Sequence, residues 1–451
     1  MNALAMAAMP LKIPAFAEAR RTRLALGTLL YLAQGFPQGV VFYAIPTWLA
    51  AKGQSAVVVG AAASAASLPW MLKFVMGAVI DRYTWLPMGR RRPWLIGAQS
   101  LIALAFLTYA LISPMPTQTA LVIGFSLLIS SLTAVQDVAL DALVIDLTPD
   151  SEMGRMNSFM FAGKLLGIAG GMAVCGYFMQ YHSIGAAMIA MLVLFAIPAA
   201  GSIIVLERPQ EKRLPWLPGR TSPESAAIKP HAWLPILRIA LSTMVRRDTL
   251  FVIAMLMLYG VHQALFEQGS SLFLVRRLGW GEGQIGGVQA IGNLINAGIA
   301  LTLGATLIDR VGPRRVALIA GTGAGVALAA LAVTHDLWHI APAILAILGF
   351  VTMFTTLFYL SFLVLAMRVS AAEVAATSFA LIVATHSLGL TFGGWLLGRS
   401  DAEGGFTAVY GFAATLLVLA GLAAQGVARR TGATQVLDDD KPLLETPATA
   451  H

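Results

Sequence analysis

Charge is scarce in this chain: 12% of its 451 residues are Asp, Glu, Lys or Arg, about half of what a soluble domain carries. That scarcity, with 58% hydrophobic residues and a mean hydropathy of +0.77, excludes a soluble globular protein of this length. Cysteine is almost missing too. Cys175 stands alone, so no internal disulfide can form and cysteine usage says nothing about an oxidising compartment. Long polar stretches between apolar runs are few, which leaves no room for a soluble catalytic or receptor domain. The first 23 residues hold Lys12, Arg20, Arg21 and Arg23 but lack the short apolar core and small-residue cleavage site of a secretory signal. They read as a cytoplasmic lead-in. No cofactor or metal motif is present. The net charge of +8 invites a nucleic-acid partner, but its distribution along the chain follows membrane topology instead.

Apolar stretches of span length recur from near residue 24 to near residue 428, each long enough to cross a bilayer as a helix. Twelve are expected: 24–45, 56–80, 93–113, 119–146, 154–179, 184–206, 249–275, 283–309, 314–333, 340–368, 372–397 and 405–428. The fold class is therefore an all-α membrane protein of two six-helix halves, 24–206 and 249–428. Segment 207–248, with Pro209, Pro215, Pro218, Pro223, Pro230 and Pro235 among charges, reads as a cytoplasmic linker. Residues 1–23 precede the first half, and a polar tail, 429–451, carries the acidic run Asp438-Asp439-Asp440. With both termini placed inside, 24 of the 30 Lys and Arg fall on the inner side. Lys52, Arg276, Arg277 and Arg399 are outside, and Lys73 and Lys164 lie within spans. That bias puts both termini in the cytoplasm.

Two basic signatures stand 228 residues apart. Asp81-Arg82 is followed by Gly89-Arg90-Arg91-Arg92, and Asp309-Arg310 by Gly312-Pro313-Arg314-Arg315. Each joins the end of one apolar run to the start of the next, a place only the water-facing edge accommodates. Recurrence at half-chain spacing points to two structural halves of one kind.

The ionisable residues inside the spans carry the functional signal, because charge in hydrocarbon is expensive. At 1.5 Å per helical residue, Lys73 lies about 12 Å above the inner end of span 2, Asp137 about 14 Å up span 4 and Lys164 about 15 Å up span 5. Asp141, four residues after Asp137, shares its face nearer the cytoplasm. His262 and His386 fall at comparable depth in the second half, and Glu267 lies further out. An ion pair that only fixes packing is one reading of Lys73 and Asp137; a polar cavity shared between the halves accommodates the whole set. Either histidine alone is more often a hydrogen-bonded core residue than a proton carrier. Gly163, Gly167 and Gly171 on span 5, and Gly389 and Gly393 on span 11, form small-residue faces along which helices approach closely. Pro37, Pro46 and Pro69 are positioned to kink spans 1 and 2. Hydroxyls on span 10 (Thr352, Thr355, Thr356, Tyr359, Ser361) either line a cavity or bond back to their own helix.

Twelve spans in a 6+6 plan with an acidic-basic turn after spans 2 and 8 resemble the major facilitator superfamily. Within it, Lys73-Phe74 leading to Asp81-Arg82-Tyr83-Thr84 and Gly89-Arg90-Arg91-Arg92-x-Trp94-Leu95 is similar to the AmpG-like muropeptide permeases. So are Gln136-Asp137-Val138-x-x-Asp141-Ala142, Gly35-Phe36-Pro37, and Phe273-Leu274 with Gly279-Trp280 and Gly283-x-Ile285-Gly286. The wider group includes acetyl-coenzyme A transporters and siderophore permeases. The chain departs from the muropeptide pattern in three places. Tyr259-Gly260-Val261-His262-Gln263 lacks the lysine and aspartate of span 7, Val144 replaces a span-4 lysine, and Met76-Gly77-Ala78 replaces a Trp-small-Pro step.

The resemblance implies proton-coupled uptake of a small anionic or peptide/sugar-type solute by alternating access, in a bacterial inner membrane. Protons, a small-molecule substrate and the lipid bilayer are the implied partners, and the protein is taken as a monomer and not an enzyme. Asp137 or Asp141 would carry the proton. Lys73 and Lys164 would meet an anionic substrate group, with His262, Glu267 and His386 as further cavity candidates. Asp81, Arg82, Arg90, Arg91, Arg92, Asp309, Arg310, Arg314 and Arg315 would form the cytoplasmic gate. A non-transporting assembly factor of the same fold is the alternative class. An intramembrane enzyme ranks third, since no nucleophile-base pair shares a helix.

Overall fold

The computed structural model describes residues 14–228, 232–280, 282–397 and 405–428. Lys12, residues 398–404 with Arg399, and residues 429–451 with their three consecutive aspartates lie outside the described residues. Every long element is a helix, because the apolar runs are rich in Ala, Leu, Ile and Met and a helix satisfies its own backbone where water is absent. Eleven of the described helices are long and apolar enough to cross a membrane. A twelfth crossing is the bent pair Val57–Met71 and Lys73–Arg82.

In chain order, span 1 is Arg20–Ala51, span 2 the bent pair, span 3 Arg92–Ile112, span 4 Thr119–Leu147, span 5 Asp150–Tyr181 and span 6 Ile184–Ile204. Span 7 is Arg247–Leu278, and span 8 starts at Glu282 and ends at Val311. Spans 9 to 12 are Pro313–Val333, Ala341–Val369, Ala372–Leu397 and Gly405–Gly426. Both Asp-Arg turns, together with Ala428 and the start of span 1, lie at one end of the bundle, here the turn side.

Three local features go beyond the expected spans. Span 1 is longer than expected and is widened by a π-helical segment, Gly39–Ala44. The widening ends just before Pro46, which has no N–H to return to the preceding turn. Span 8 has a second π segment, Ala300–Gly304, and both pack on span 5. Span 2 breaks by 43° at Leu72, three residues after Pro69, so the expected kink falls immediately before Lys73.

The linker is also more structured than its prolines imply. Trp233–Met244 forms a helix whose apolar residues recur at helical spacing. Ile236 and Ala240 are buried with Ala78 of span 2 and with Ala371 and Val374 at the start of span 11.

Close helix approach sets the interior. Glycines on span 5 press against span 1: a Cβ on Gly163 would meet the Thr28 carbonyl at 2.5 Å, and one on Gly171 the Phe36 carbonyl at 2.5 Å. A Cβ on Gly35 would strike the backbone of Lys164 and Gly167. The same seam recurs between spans 7 and 11, where Gly260 faces the His386 carbonyl and Gly389 the Met257 carbonyl.

Candidate functional site

Spans 1 and 4 run antiparallel, and a two-rung ladder joins them. The Gln34 side-chain amide donates to Asp137, and the Tyr31 hydroxyl donates to Asp141. A spacing of three on one helix and four on the other keeps both rungs on facing sides. The first residue after the break in span 2 supplies the charge: the Lys73 ammonium pairs with the other Asp137 oxygen. Asp137 and Asp141 are 3% and 5% exposed, so both carboxylates are held by side chains, not by water. Asp137 thereby gains the partner that makes a charge tolerable at this depth.

Lys164 of span 5 reaches the same level without a carboxylate at ion-pair distance among the described residues. Its Nζ stands 5.3 Å from the ring centroid of Trp70, and Lys73 Nζ stands 5.1 Å from the same ring. Trp70 is fixed by its indole N–H, which donates to Ser130 Oγ at 2.9 Å. Two ammonium groups thus share one aromatic ring. Spans 2, 4 and 5 converge as the depth estimates predict.

The second half meets this cluster with rings. Tyr259 lies 5.0 Å from Phe358 and 5.6 Å from His386, centroid to centroid. Tyr359 lies 4.9 Å from Phe161 of span 5, which carries the aromatic group across to the first six spans. His386 Nε2 meets Gln263 Oε1 at 2.9 Å, and the Gln263 amide donates to Glu267 at 2.8 Å. His386, Gln263 and Glu267 form a polar chain along spans 7 and 11.

His262 takes the other side of span 7. It is fully buried with Nδ1 on the Ala413 carbonyl at 2.8 Å, because its side of span 7 packs against span 12. The span 10 hydroxyls likewise turn inward: Thr352, Thr355, Thr356 and Ser361 all bond to carbonyls of their own helix.

On the turn side the two halves are clasped. Asp81 accepts from Arg91 at 2.7 Å, and its other oxygen accepts the backbone N–H and hydroxyl of Thr377, at 2.8 and 2.7 Å, where span 11 begins. Arg91 also reaches Asp146 at 2.8 Å. Arg90 donates to the carbonyls of Glu373 and Ala372. Asp309 mirrors Asp81: it accepts the N–H of Arg155, where span 5 begins, at 3.1 Å, and lies 3.6 Å from that guanidinium. Arg368 donates to the Asp150 carbonyl at 3.1 Å. Beyond this clasp the lower part of span 2 packs on span 11, whereas its upper part, Val57–Met71, packs on spans 1 and 4. Span 2 thus meets the other half through its turn-side part.

Other arginines expected at the gate have different work. Arg92 donates to the carbonyls of Ser202, Met88, Lys212 and Arg213, fixing the linker to its own half. Arg82 stacks on Tyr83, Arg314 binds the carbonyls of Ala424 and Gln425, and Arg310 and Arg315 are exposed. Glu207, unmarked in the sequence reading, accepts the backbone N–H groups of Arg90, Arg91 and Arg92 at 2.8, 2.6 and 2.5 Å. Burial, then the nearby Glu211 carboxylate, pushes its pKa up to about 7 against the pull of those three donors.

Tyr31, Gln34 and Trp70 also went unmarked. They carry no charge and sit in ordinary apolar runs; the sole signal is that Gln34 adjoins the Gly35-Phe36-Pro37 step. Among the described residues no group of three His, Cys, Asp or Glu could hold a metal ion.

Residues 27–394 match the model of the Major Facilitator Superfamily. The chain belongs to that superfamily. Its relatives include the anhydromuropeptide permease of Escherichia coli (strain K12), 24% identical over 407 residues, which span 88% of this chain and 78% of that one. A Haemophilus influenzae protein is 33% identical over 138 residues, 30% of this chain and 32% of its own length. Among solved structures, the facilitator-superfamily transporter FucP in its outward conformation superposes with a TM-score of 0.66 at 14% identity, covering 90% of this chain and 98% of that chain. A bacterial homologue of the iron transporter ferroportin, in its outward-facing state, gives 0.63 at 15% identity and the same coverage. Fold and family are thus those of a multi-pass facilitator transporter.

Proposed function

We propose that this facilitator is a proton-coupled carrier that takes up an anionic solute of the muropeptide, siderophore or acyl-coenzyme A class across a bacterial inner membrane. It works by alternating access, with both termini in the cytoplasm, and moves its solute without transforming it. The observation that supports this most directly is the buried Lys73–Asp137 pair beside Asp141 and Lys164, facing the aromatic wall of the other half. A family relative named as an anhydromuropeptide permease gives the solute class its first candidate.

The chemistry follows from charge balance. While Asp137 is ionised it satisfies Lys73, and a solute anion finds only Lys164 unengaged. A proton on Asp137 removes its claim on Lys73, leaving two ammonium groups for one anion. Loss of that proton restores the internal pair and ejects the anion. Asp141, bound to Tyr31, is a second proton store on the same face, and the Trp70 ring offers the flat apolar surface that a sugar or acyl group needs. The clasp at Asp81 and Asp309 would close the cytoplasmic side while the opposite side is open.

Proteoliposomes with an imposed proton gradient test this directly. Labelled anhydromuropeptide should accumulate when the outside is acidic and should exchange in counterflow without a gradient. Asp137→Asn should retain counterflow but lose gradient-driven accumulation. Undiminished accumulation by Asp137→Asn would refute the coupling scheme.

A further inference from the structure

A cavity of about 520 Å³ opens on the turn side of the last six spans, away from the Lys73–Asp137 cluster. Arg246, Arg247, Arg314, Arg315 and Arg368 line it, and Asp248 is the single acid among them. Among the described lining residues, the exposed Arg246, Arg247 and Arg315 face the one carboxylate of Asp248, a local excess of positive charge. In the corresponding turn of the first half, Asp81 and Asp146 stand against Arg90 and Arg91.

Two long helices also begin at this cavity. Span 7 starts at Arg247 and span 9 at Pro313, the latter preceded by Gly312 with no side-chain cap. Their positive dipole ends therefore add to the arginine field. An independent sign comes from Thr249. It lines the cavity, has no exposed surface, and its hydroxyl has no hydrogen-bond partner among the described residues. A buried hydroxyl left unpaired is destabilising, a cost that an acceptor inside the cavity would remove.

We propose that this cavity is a binding site for a multiply charged phosphate-type oxyanion, carried either by a soluble phosphate compound or by the headgroup of an anionic phospholipid. The planar guanidinium fork matches phosphate oxygens in pairs, and a ligand of at least two negative charges suits the charge excess. Arg246, Arg247 and Arg315 are exposed and free to turn onto the ligand, while Thr249 donates from the floor. Arg368 lies at the wall and also bonds the Asp150 carbonyl of the opposite half, so occupancy touches the clasp.

The test uses the full chain in nanodiscs of zwitterionic lipid, titrated calorimetrically with inorganic pyrophosphate at low ionic strength. One site per chain is expected, weakened at least tenfold in the R246Q/R247Q/R315Q variant and several-fold in Thr249→Val. Unliganded melting curves should match wild type, and if the triple variant melts early, Thr249→Val and Arg315→Gln decide. Native mass spectrometry with phosphatidylglycerol against phosphatidylcholine distinguishes the sources. A retained anionic lipid, lost in the triple variant, assigns the headgroup; pyrophosphate binding without lipid retention assigns a soluble ligand. Equal binding of both probes by wild type and variants, or binding of neither, overturns the site. So does pyrophosphate binding that emerges only when Asp438, Asp439 and Asp440 are changed to Asn, since the chain's own carboxylates would then be the occupant.

Discussion

The two sets of six spans share one packing plan and divide the chemistry unequally. In both, glycines bring two helices into backbone contact, at Gly35–Gly167 and at Gly260–Gly389. In both, the acid of the Asp-Arg turn reaches across to the start of a helix in the other set. The buried lysine–carboxylate cluster, however, is in the first set: Lys73, Asp137, Asp141 and Lys164. The second set offers rings and the His386–Gln263–Glu267 chain. A duplicated scaffold needs the same seams and turns twice, because both halves must pack and close. The chemistry of recognition needs its charge only once.

The largest expected break of this comparison is Lys73→Ala. It strands Asp137 in a buried site, which should cost about 3–5 kcal/mol of stability and abolish uptake. Pairing Lys73→Met with Asp137→Leu should recover melting stability while transport stays absent; recovery of both would reduce the pair to packing. The matching change across the cavity, His386→Ala, removes one neutral hydrogen bond to Gln263 and should cost only about 1 kcal/mol. Thermal melting in detergent and proteoliposome uptake read both.

Next in size are the seams. Gly35→Val and Gly260→Val place a side chain against the backbone of the neighbouring helix, and each should lose about 1–3 kcal/mol from overpacking. Equal losses sharpen the view that the seams are the shared part of the plan. A loss confined to one half would break it.

The clasp should be lopsided. Asp81 is 3% exposed and accepts three short charge-assisted bonds, so Asp81→Asn should cost about 1.5–3 kcal/mol. Asp309 meets a partly exposed Arg155, and Asp309→Asn should cost under about 1 kcal/mol. Alkylation of a cysteine placed at Ala376, in a Cys175→Ala background, should speed up more in the first variant than in the second.

A pH slope from Glu207 stands apart from these substitutions. Its pKa in the folded chain, pushed up to about 7, lies above the ordinary value of 4.5, so folding favours the protonated acid. That contribution is complete below about pH 4.5 and is lost as pH rises through 7, at no more than about 1.4 kcal/mol per pH unit. Melting temperature in detergent should therefore fall between pH 5 and 7.5, with a shallower fall in Glu207→Gln. An unchanged slope in that variant would leave Glu207 out of it.

How legible all this was in the sequence depended on whether a residue broke an apolar pattern. Spans, turns and the level of Lys73, Asp137 and Lys164 were readable because charge in a long apolar run has few explanations, and because 1.5 Å per residue converts position into depth. The break before Lys73 was readable from Pro69. Tyr31, Gln34 and Trp70 were not, since an uncharged polar side chain in a helix announces no partner until the neighbouring helix is placed. His262 shows a related point: sequence gives the depth of a side chain but not its azimuth, and this one points to Ala413. The π segments and the Glu207 anchor depend on backbone geometry between distant spans, which no local pattern encodes.

The Lys73–Asp137 pair also has a consequence for how the chain is made. Synthesis runs from the N-terminus, and the two partners are 64 residues apart, so span 2 leaves the ribosome well before span 4. For that interval Lys73 has no counter-charge, and a lone lysine at mid-helix opposes insertion by about 2.5–3.5 kcal/mol. Span 2 is thus the segment most apt to wait at the translocation channel, and the arrival of Asp137 is what lets it settle. An ion pair that serves the finished carrier also sets the order in which the first half of the protein enters the membrane.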